Sequence, residues 1–179
     1  SILDFNNTVF RWNVPYKWQM GSDKLYFNNK DGTFKDIGKE IGIVDSGANV
    51  GSAFLDYNND GNIDLYTAND DFATPYNIFP NKLFENQFPK LQFIDVASKV
   101  NVDERNTGMG VAVGDYDENG FLDIYVTYCG KNSLHKNDGN GNFINSAFVA
   151  GVEDDDVPVD TININQNIDY TYTPYPGFV

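Results

Sequence analysis

Short apolar segments alternate along the chain with clusters of Asn, Asp and Gly. Residues 50–55 and 109–114 are small and apolar, whereas residues 63–68 and 122–127 are richer in branched and aromatic side chains. Such runs, bounded by turn-forming residues, are typical of β-strands. Asn, Asp and Gly also compete with helical hydrogen bonding. The pattern therefore predicts an all-β fold, in which the small residues of 50–55 and 109–114 form crowded, fully buried strands.

The same strand pattern recurs in successive copies. Equivalent positions are held by Leu25, Leu83 and Leu134, and then by Phe34, Phe93 and Phe143. Segments 82–86 and 92–97 complete a first copy of four strands, and segments 133–137 and 142–148 complete a second. Four-stranded units repeated at about 50–60 residues are typical of β-propeller blades of antiparallel strands.

The ends of the chain resemble parts of further copies. We expect blade parts at about 1–48, 49–104, 105–155 and 156–179, which gives two full blades and a partial blade at each end. A closed ring needs about four blades or more. We therefore expect the chain to be a fragment, or to be completed by strands of other chains, because an open array exposes sheet edges.

Two acidic loops follow the small apolar segments. Residues 56–64 and 115–123 both have the pattern D-x-[DN]-x-[DN]-G-x-x-D. Oxygen ligands at positions 1, 3, 5 and 9 can converge on a cation, since the glycine permits a sharp turn and position 7 offers a carbonyl. An EF-hand would need Glu at position 12, where this chain has Thr67 and Val126. The alternative is a metal-free hairpin held by Asx turns.

Charge and composition exclude several functions. Lys and Arg number 12 against 26 Asp and Glu, so the net charge is −14. This charge disfavours binding to nucleic acid or to an anionic membrane surface. The single cysteine, Cys129, excludes an internal disulfide, and the single histidine, His135, excludes a multi-histidine metal site. With no visible pair of nucleophile and base, we expect no enzymatic activity.

The motifs resemble the FG-GAP/VCBS repeat, as found in integrin-type propellers and in many secreted bacterial proteins. The resemblance is carried by Leu-Tyr-x-Asn, Gly-Thr-Phe and Gly-x-Ala-Phe-x-Asp-Tyr-Asn-x-Asp-Gly within about residues 23–152. It implies a seven- or eight-bladed propeller with Ca²⁺ in two loops. The implied ligands are Asp56, Asn58, Asp60, Asn62 (carbonyl) and Asp64, then Asp115, Asp117, Asn119, Phe121 (carbonyl) and Asp123. A third, degenerate site near Asn163, Asn165 and Asp169 is expected to be weak or empty.

Several functions agree with these motifs. The first is an extracellular, cell-surface or periplasmic module for adhesion, in which Ca²⁺ is structural and the partner is a protein or glycan. Aromatic residues of the loops either form the binding face or simply pack on the blades: Trp12, Tyr16, Trp18, Phe72, Tyr76 and Phe79. The second is a subunit of a surface filament or sheath assembled by strand sharing. The third is a non-catalytic propeller part of a larger secreted enzyme.

Overall fold

The computed structural model describes residues 2–3, 9–10, 23–70 and 79–153. Its strands are β1 (Ile2–Leu3), β2 (Val9–Phe10), β3 (Tyr26–Asn28), β4 (Phe34–Asp36), β5 (Ala48–Leu55), β6 (Asp64–Asp70), β7 (Lys82–Asn86), β8 (Phe93–Asp95), β9 (Gly108–Gly114), β10 (Asp123–Tyr128), β11 (Ser133–Asn137) and β12 (Phe143–Asn145). One short helix, α1 (Ala147–Ala150), follows β12. No helix in the described ranges has the length and apolar character needed to cross a membrane.

The strands form four antiparallel sheets. Strands β1 and β2 make one hairpin and β3 and β4 another, while β5–β8 and β9–β12 make two four-stranded sheets with their strands in chain order. These two are called the first and second sheets. The all-β prediction and the two four-stranded copies are confirmed. Closure into a propeller and the four segment boundaries stay predictions.

The last strand of each copy is shorter than predicted. Strand β12 ends at Asn145, whereas the pattern predicted a strand to residue 148. The Asn145 side chain accepts a hydrogen bond from the backbone N–H of Ala147 at 3.1 Å, and Asp95 accepts one from Ala97 at the same distance. These Asx turns redirect the chain out of the sheet.

The turn after each last strand leads into a recurring segment, which we call the connector: residues 37–43, 96–102 and 146–152. In each, an N–H bonds to a carbonyl five residues back, as from Val102 to Ala97 at 3.0 Å and from Val152 to Ala147 at 2.9 Å. The residue before that N–H has a positive φ, for example 65° at Asn101 and 71° at Gly151. The three connectors therefore share one backbone conformation.

The main core lies between the two four-stranded sheets. One face of the first sheet contributes Leu55, Tyr57, Tyr66, Ala68 and Leu83, and the second sheet contributes Ile124, Val126, Tyr128 and Phe143. Val100 and Val102 of the middle connector fill the space between them and are almost fully buried. A smaller cluster on the other side of the first sheet holds Ile41 and Ile43 of the preceding connector. The first two connectors thus join successive repeats through their apolar side chains.

The prediction that 50–55 and 109–114 are fully buried is wrong. Strands β5 and β9 are edge strands, and several of their residues are exposed or half-buried. The small residues are instead explained by the contact between β5 and β9, which lie side by side. A Cβ added at Gly51 would lie 3.3 Å from the Cα of Gly110 and 3.2 Å from Cγ2 of Val111. The close approach of the two backbones therefore leaves no room for a side chain at Gly51.

Candidate metal centre

The first acidic loop, between β5 and β6, is curled by its own side chains. The carboxylate of Asp56 accepts hydrogen bonds from the backbone N–H groups of Asp60 (3.1 Å) and Gly61 (2.9 Å). The side chain of Asn58 accepts a second bond from the Asp60 N–H at 3.1 Å. Gly61 has a φ of 85°, a conformation that residues with a Cβ adopt at a cost. The glycine of the motif is thus explained by the turn.

The second loop, between β9 and β10, has the same geometry. Asp115 accepts bonds from the N–H groups of Asn119 (3.0 Å) and Gly120 (2.8 Å), and Asn119 accepts one from Phe121 at 2.8 Å. Gly120 has a φ of 88°. Two nine-residue segments with the same pattern therefore fold into the same loop.

The final aspartate of each loop is buried and holds three strands together. Asp64 accepts bonds from the N–H groups of Tyr57 (3.2 Å) and Asn86 (2.8 Å). Asp123 accepts the equivalent bonds from Tyr116 (2.9 Å) and Asn137 (2.7 Å). Each carboxylate therefore joins the start of its loop to the end of the neighbouring hairpin strand, β7 or β11.

Burial and like charge perturb these carboxyl groups. Burial raises the pKa of Asp64 to about 6, and repulsion from Asp60 and Asp56 acts in the same direction, although the two backbone hydrogen bonds act in the opposite direction. Burial likewise raises the pKa of Asp123, with further repulsion from Asp117 and Asp115. A bound cation would relieve this repulsion, because it favours the ionised form of every ligand.

In the second loop three carboxylates converge. Asp115, Asp117 and Asp123 each offer an oxygen, and these oxygens lie within 4.8 Å of one another. Oδ1 of Asp117 is buried without a hydrogen-bond partner, which is costly for a carboxylate unless a cation binds it. The residues present therefore fit a hard divalent cation such as Ca²⁺.

A lysine also contacts this cluster. Nζ of Lys136, on β11, lies 2.5 Å from Oδ2 of Asp117, and this bond holds the pKa of Asp117 below its usual range. Sequence reasoning missed Lys136, because it lies outside the nine-residue motif. The contact leaves Oδ1 of the same carboxylate for a cation.

The first loop differs at position 3 of the motif. Position 3 is Asn58, whose amide donates to Oδ2 of Asp60 at 3.2 Å, so the loop is partly held by its own side chains. Among the described residues, the three carboxylates whose oxygens lie within 4.8 Å of one another are in the second loop. The inward direction of the carbonyl oxygens of Asn62 and Phe121 stays a prediction.

The two loops are connected to each other. Asn59 donates from its side chain to the backbone carbonyl of Gly120 at 2.8 Å. Asn137 is buried at the end of β11 and donates to the carbonyl of Tyr57, in the first loop, at 2.7 Å. Asn137 was not predicted as a site residue, although its alignment with Asn28 and Asn86 in the repeat was a visible signal.

The remaining predicted residues are distributed as follows. His135 is buried within β11, and Cys129 is exposed. Phe79 is half-buried. The degenerate third site (Asn163, Asn165 and Asp169) and the other loop aromatics (Trp12, Tyr16, Trp18, Phe72 and Tyr76) lie outside the described residues.

Comparisons with known proteins agree with this architecture. Residues 5–67 match the family model of the FG-GAP-like repeat. Cartilage acidic protein 1 of Mus musculus is 30% identical over an alignment of 146 positions, which covers 74% of this chain and 22% of that protein. The chain thus spans about a fifth of the length of this curated relative. The match over residues 5–67 includes the first acidic loop and strands β3 to β5. The chain therefore carries a repeat of the FG-GAP family.

Proposed function

We propose that the chain is an extracellular calcium-binding module of β-propeller blades that serves recognition or adhesion, with a protein or glycan as its partner. Ca²⁺ acts structurally in this proposal, and the module has no enzymatic activity. The extracellular setting is proposed because FG-GAP repeats are typical of extracellular proteins and because extracellular calcium suits modules of weak affinity.

The observation that carries the proposal is the second loop. Its three carboxylates lie within 4.8 Å of one another, and one of their oxygens is buried without a partner. Asp115, Asp117, Asn119 and Asp123 would hold the ion by their side chains. When bound, the ion supplies positive charge that offsets the repulsion among the carboxylates.

The chain's own residues explain why an ion in this loop would stabilise the fold. Asp123 is hydrogen-bonded to the N–H of Asn137, at the end of β11, and Asp115 closes the turn after β9. Fixing these two carboxylates therefore fixes strands β9, β10 and β11 relative to one another. Binding to the folded state alone contributes about 2.7 kcal/mol at a hundredfold excess of ligand over Kd.

Thermal unfolding with and without calcium tests the proposal. We expect calcium to raise the Tm of the wild-type chain and chelator to lower it, while Asp117→Ala, which removes the ligand oxygens at position 3, removes most of the response of the second loop. Glu118→Ala is the matched control, since it removes the same charge from the same exposed loop at a position outside the ligand pattern. Equal calcium responses in wild type and Asp117→Ala would contradict the assignment of the second loop.

Calorimetric titration then separates the two loops. The wild-type chain should bind two Ca²⁺, Asp117→Ala should retain the site of the first loop, and Asp60→Ala should retain that of the second. Binding that is identical in both variants would contradict the ligand assignment.

A further inference from the structure

Lys136 contacts a predicted calcium ligand from outside the loop motif. It lies on β11, and its Nζ is 2.5 Å from Oδ2 of Asp117, in an ion pair whose two side chains are 39% and 20% exposed. The negative charge of Asp123 also attracts the ammonium group. Lys136 therefore places a positive charge directly beside the carboxylate cluster of the second loop.

The first repeat has an acidic residue at the equivalent position. Counted from the aligned leucines of β7 and β11, the residue that corresponds to Lys136 is Glu85. The strand register agrees, because Glu85 pairs with Ile94 of β8 as Lys136 pairs with Ile144 of β12. The carboxylate of Glu85 accepts a hydrogen bond from the hydroxyl of Tyr57. The two repeats thus carry opposite charges at the same strand position.

The curl of the acidic loop does not depend on the lysine. In both loops the carboxylate of the first aspartate, Asp56 or Asp115, accepts hydrogen bonds from the backbone N–H groups four and five residues on. The first loop makes these bonds although Glu85 stands in the place of Lys136. The main effect of Lys136 on the second loop is therefore its charge, and not the shape of the backbone.

The charge of Lys136 opposes a cation in the second loop in two ways. The ammonium group already offsets part of the repulsion among Asp115, Asp117 and Asp123, which a divalent cation would otherwise relieve. It also repels any cation that binds Oδ1 of the Asp117 carboxylate. Two positive charges on one carboxylate lie well within the Debye length of about 8 Å at physiological ionic strength, so salt screens this repulsion little.

We propose that Lys136 is an internal counter-cation that lowers the affinity of the second loop for Ca²⁺. The inference rests on the proposed function and adds a residue that sets the affinity of the same site. In the ion-free protein, the ammonium group holds the Asp117 carboxylate beside Asp115 and Asp123 and so stabilises the cluster. The same contact restricts loading of the loop to higher calcium concentrations, because charge is one of the properties that set the affinity of calcium sites.

Calorimetric titration with Ca²⁺ in an Asp60→Ala background tests the proposal, because this substitution removes a ligand of the first loop and leaves the second loop to be measured alone. Lys136→Met removes the charge and keeps an unbranched side chain, and it should bind Ca²⁺ about tenfold more tightly than the background. Lys136→Arg keeps the charge and should bind as the background does. Lys82→Met is the control for net charge, since Lys82 pairs with Asp95, outside both loops, at 2.8 Å. It should leave the affinity unchanged.

Thermal unfolding in chelator gives a second readout, which does not depend on bound calcium. Lys136→Met should lower the Tm of the ion-free protein, because the repulsion among the three carboxylates is then no longer offset. Lys136→Arg should leave the Tm unchanged. In an Asp117→Ala background the effect of Lys136→Met should be smaller, since the carboxylate that the lysine contacts is absent. An equal drop in Tm in both backgrounds would overturn the role of the ion pair in the ion-free cluster.

The outcomes of the titration separate this proposal from the proposed function. Equal or weaker binding by Lys136→Met, while the background still binds Ca²⁺, would overturn the role of Lys136 and leave the calcium site standing. No binding by the second loop in any of these variants would overturn both proposals. A gain in affinity that Lys136→Met shares with Lys82→Met would overturn the role of Lys136, because net charge would then be its cause.

Discussion

Glu104 lies between the two four-stranded sheets and binds the second sheet through a partly buried carboxylate. It precedes β9, yet its Oε2 accepts hydrogen bonds from the hydroxyls of Ser133 (2.6 Å) and Tyr128 (2.9 Å), and Oε1 accepts one from Asn145 (3.1 Å). Nε2 of His135 lies 3.5 Å from the same carboxylate. Burial acts to raise the pKa of Glu104, but these partners outweigh it and hold the pKa at about 2.

This low pKa predicts that the carboxylate stabilises the fold in a pH-dependent way. The pKa of Glu104 falls from the ordinary 4.5 to about 2. Because the side chain is only 26% exposed, solvent screens its interactions little. The ionised form therefore contributes about 3 kcal/mol to the free energy of unfolding. Because the folded-state pKa is depressed, this contribution is present above pH 4.5 and is lost as the pH falls towards 2. It should fall by about half between pH 4.5 and pH 3.

Urea denaturation of wild type and Glu104→Gln at several pH values between 7 and 3 measures the effect. The difference in free energy of unfolding should be about 3 kcal/mol at pH 7 and should shrink below pH 4.5. Glu40→Gln serves as control, because Glu40 makes only an exposed ion pair with Lys35 and should show a small, flat difference. A Glu104→Gln difference that is the same at pH 7 and pH 3 would refute the argument.

Three further predictions concern the backbone and the repeat junction, and all are checked by chemical denaturation. Asn137→Ala should lower the free energy of unfolding by about 2–3 kcal/mol, since it leaves the buried carbonyl of Tyr57 unpaired; Asn140→Ala, in an exposed turn, should change it little. Gly108→Ala should lower the free energy of unfolding by about 1–3 kcal/mol, because the new Cβ would lie 2.8 Å from a backbone carbonyl oxygen of β6. The Cβ of Gly114→Ala would have no atom within 4 Å, so this variant should be as stable as the wild type. Gly120→Ala should lower the free energy of unfolding by about 1–2 kcal/mol. The cause is the positive φ at this position, since no atom lies within 4 Å of the added Cβ. Gly120→Ala as stable as Gly114→Ala would contradict the argument from φ.

The strands were predictable because their signal is local. Alternation of apolar and turn residues located eight strands of the two sheets, and the repeat fixed which of them are equivalent. The end of β12 was missed, since an Asx turn at Asn145 depends on a single side chain within an otherwise apolar run. The partial exposure of β5 and β9 was missed because glycine-rich strands suit both a crowded core and the contact of two edges.

The candidate site was predictable in part for the same reason. The motif identified every side chain that curls the two loops, because all of them lie within nine residues. The groups that come from other strands, Lys136 and Asn137, depend on which strand lies beside the loop, and spacing alone does not report this. The contact between Glu104 and the buried His135 also joins residues far apart in the chain.

The bond from Asn59 to the carbonyl of Gly120 couples adjacent repeats at their acidic loops. An ion that ordered the first loop would also restrain Gly120, and would so lower the entropy that the second loop loses when it binds an ion in turn. Occupancy of the two loops should therefore be cooperative, with a Hill coefficient above one, and Asn59→Ala should return it to one. In an array of such repeats, the same bond would transmit calcium occupancy from each loop to the next.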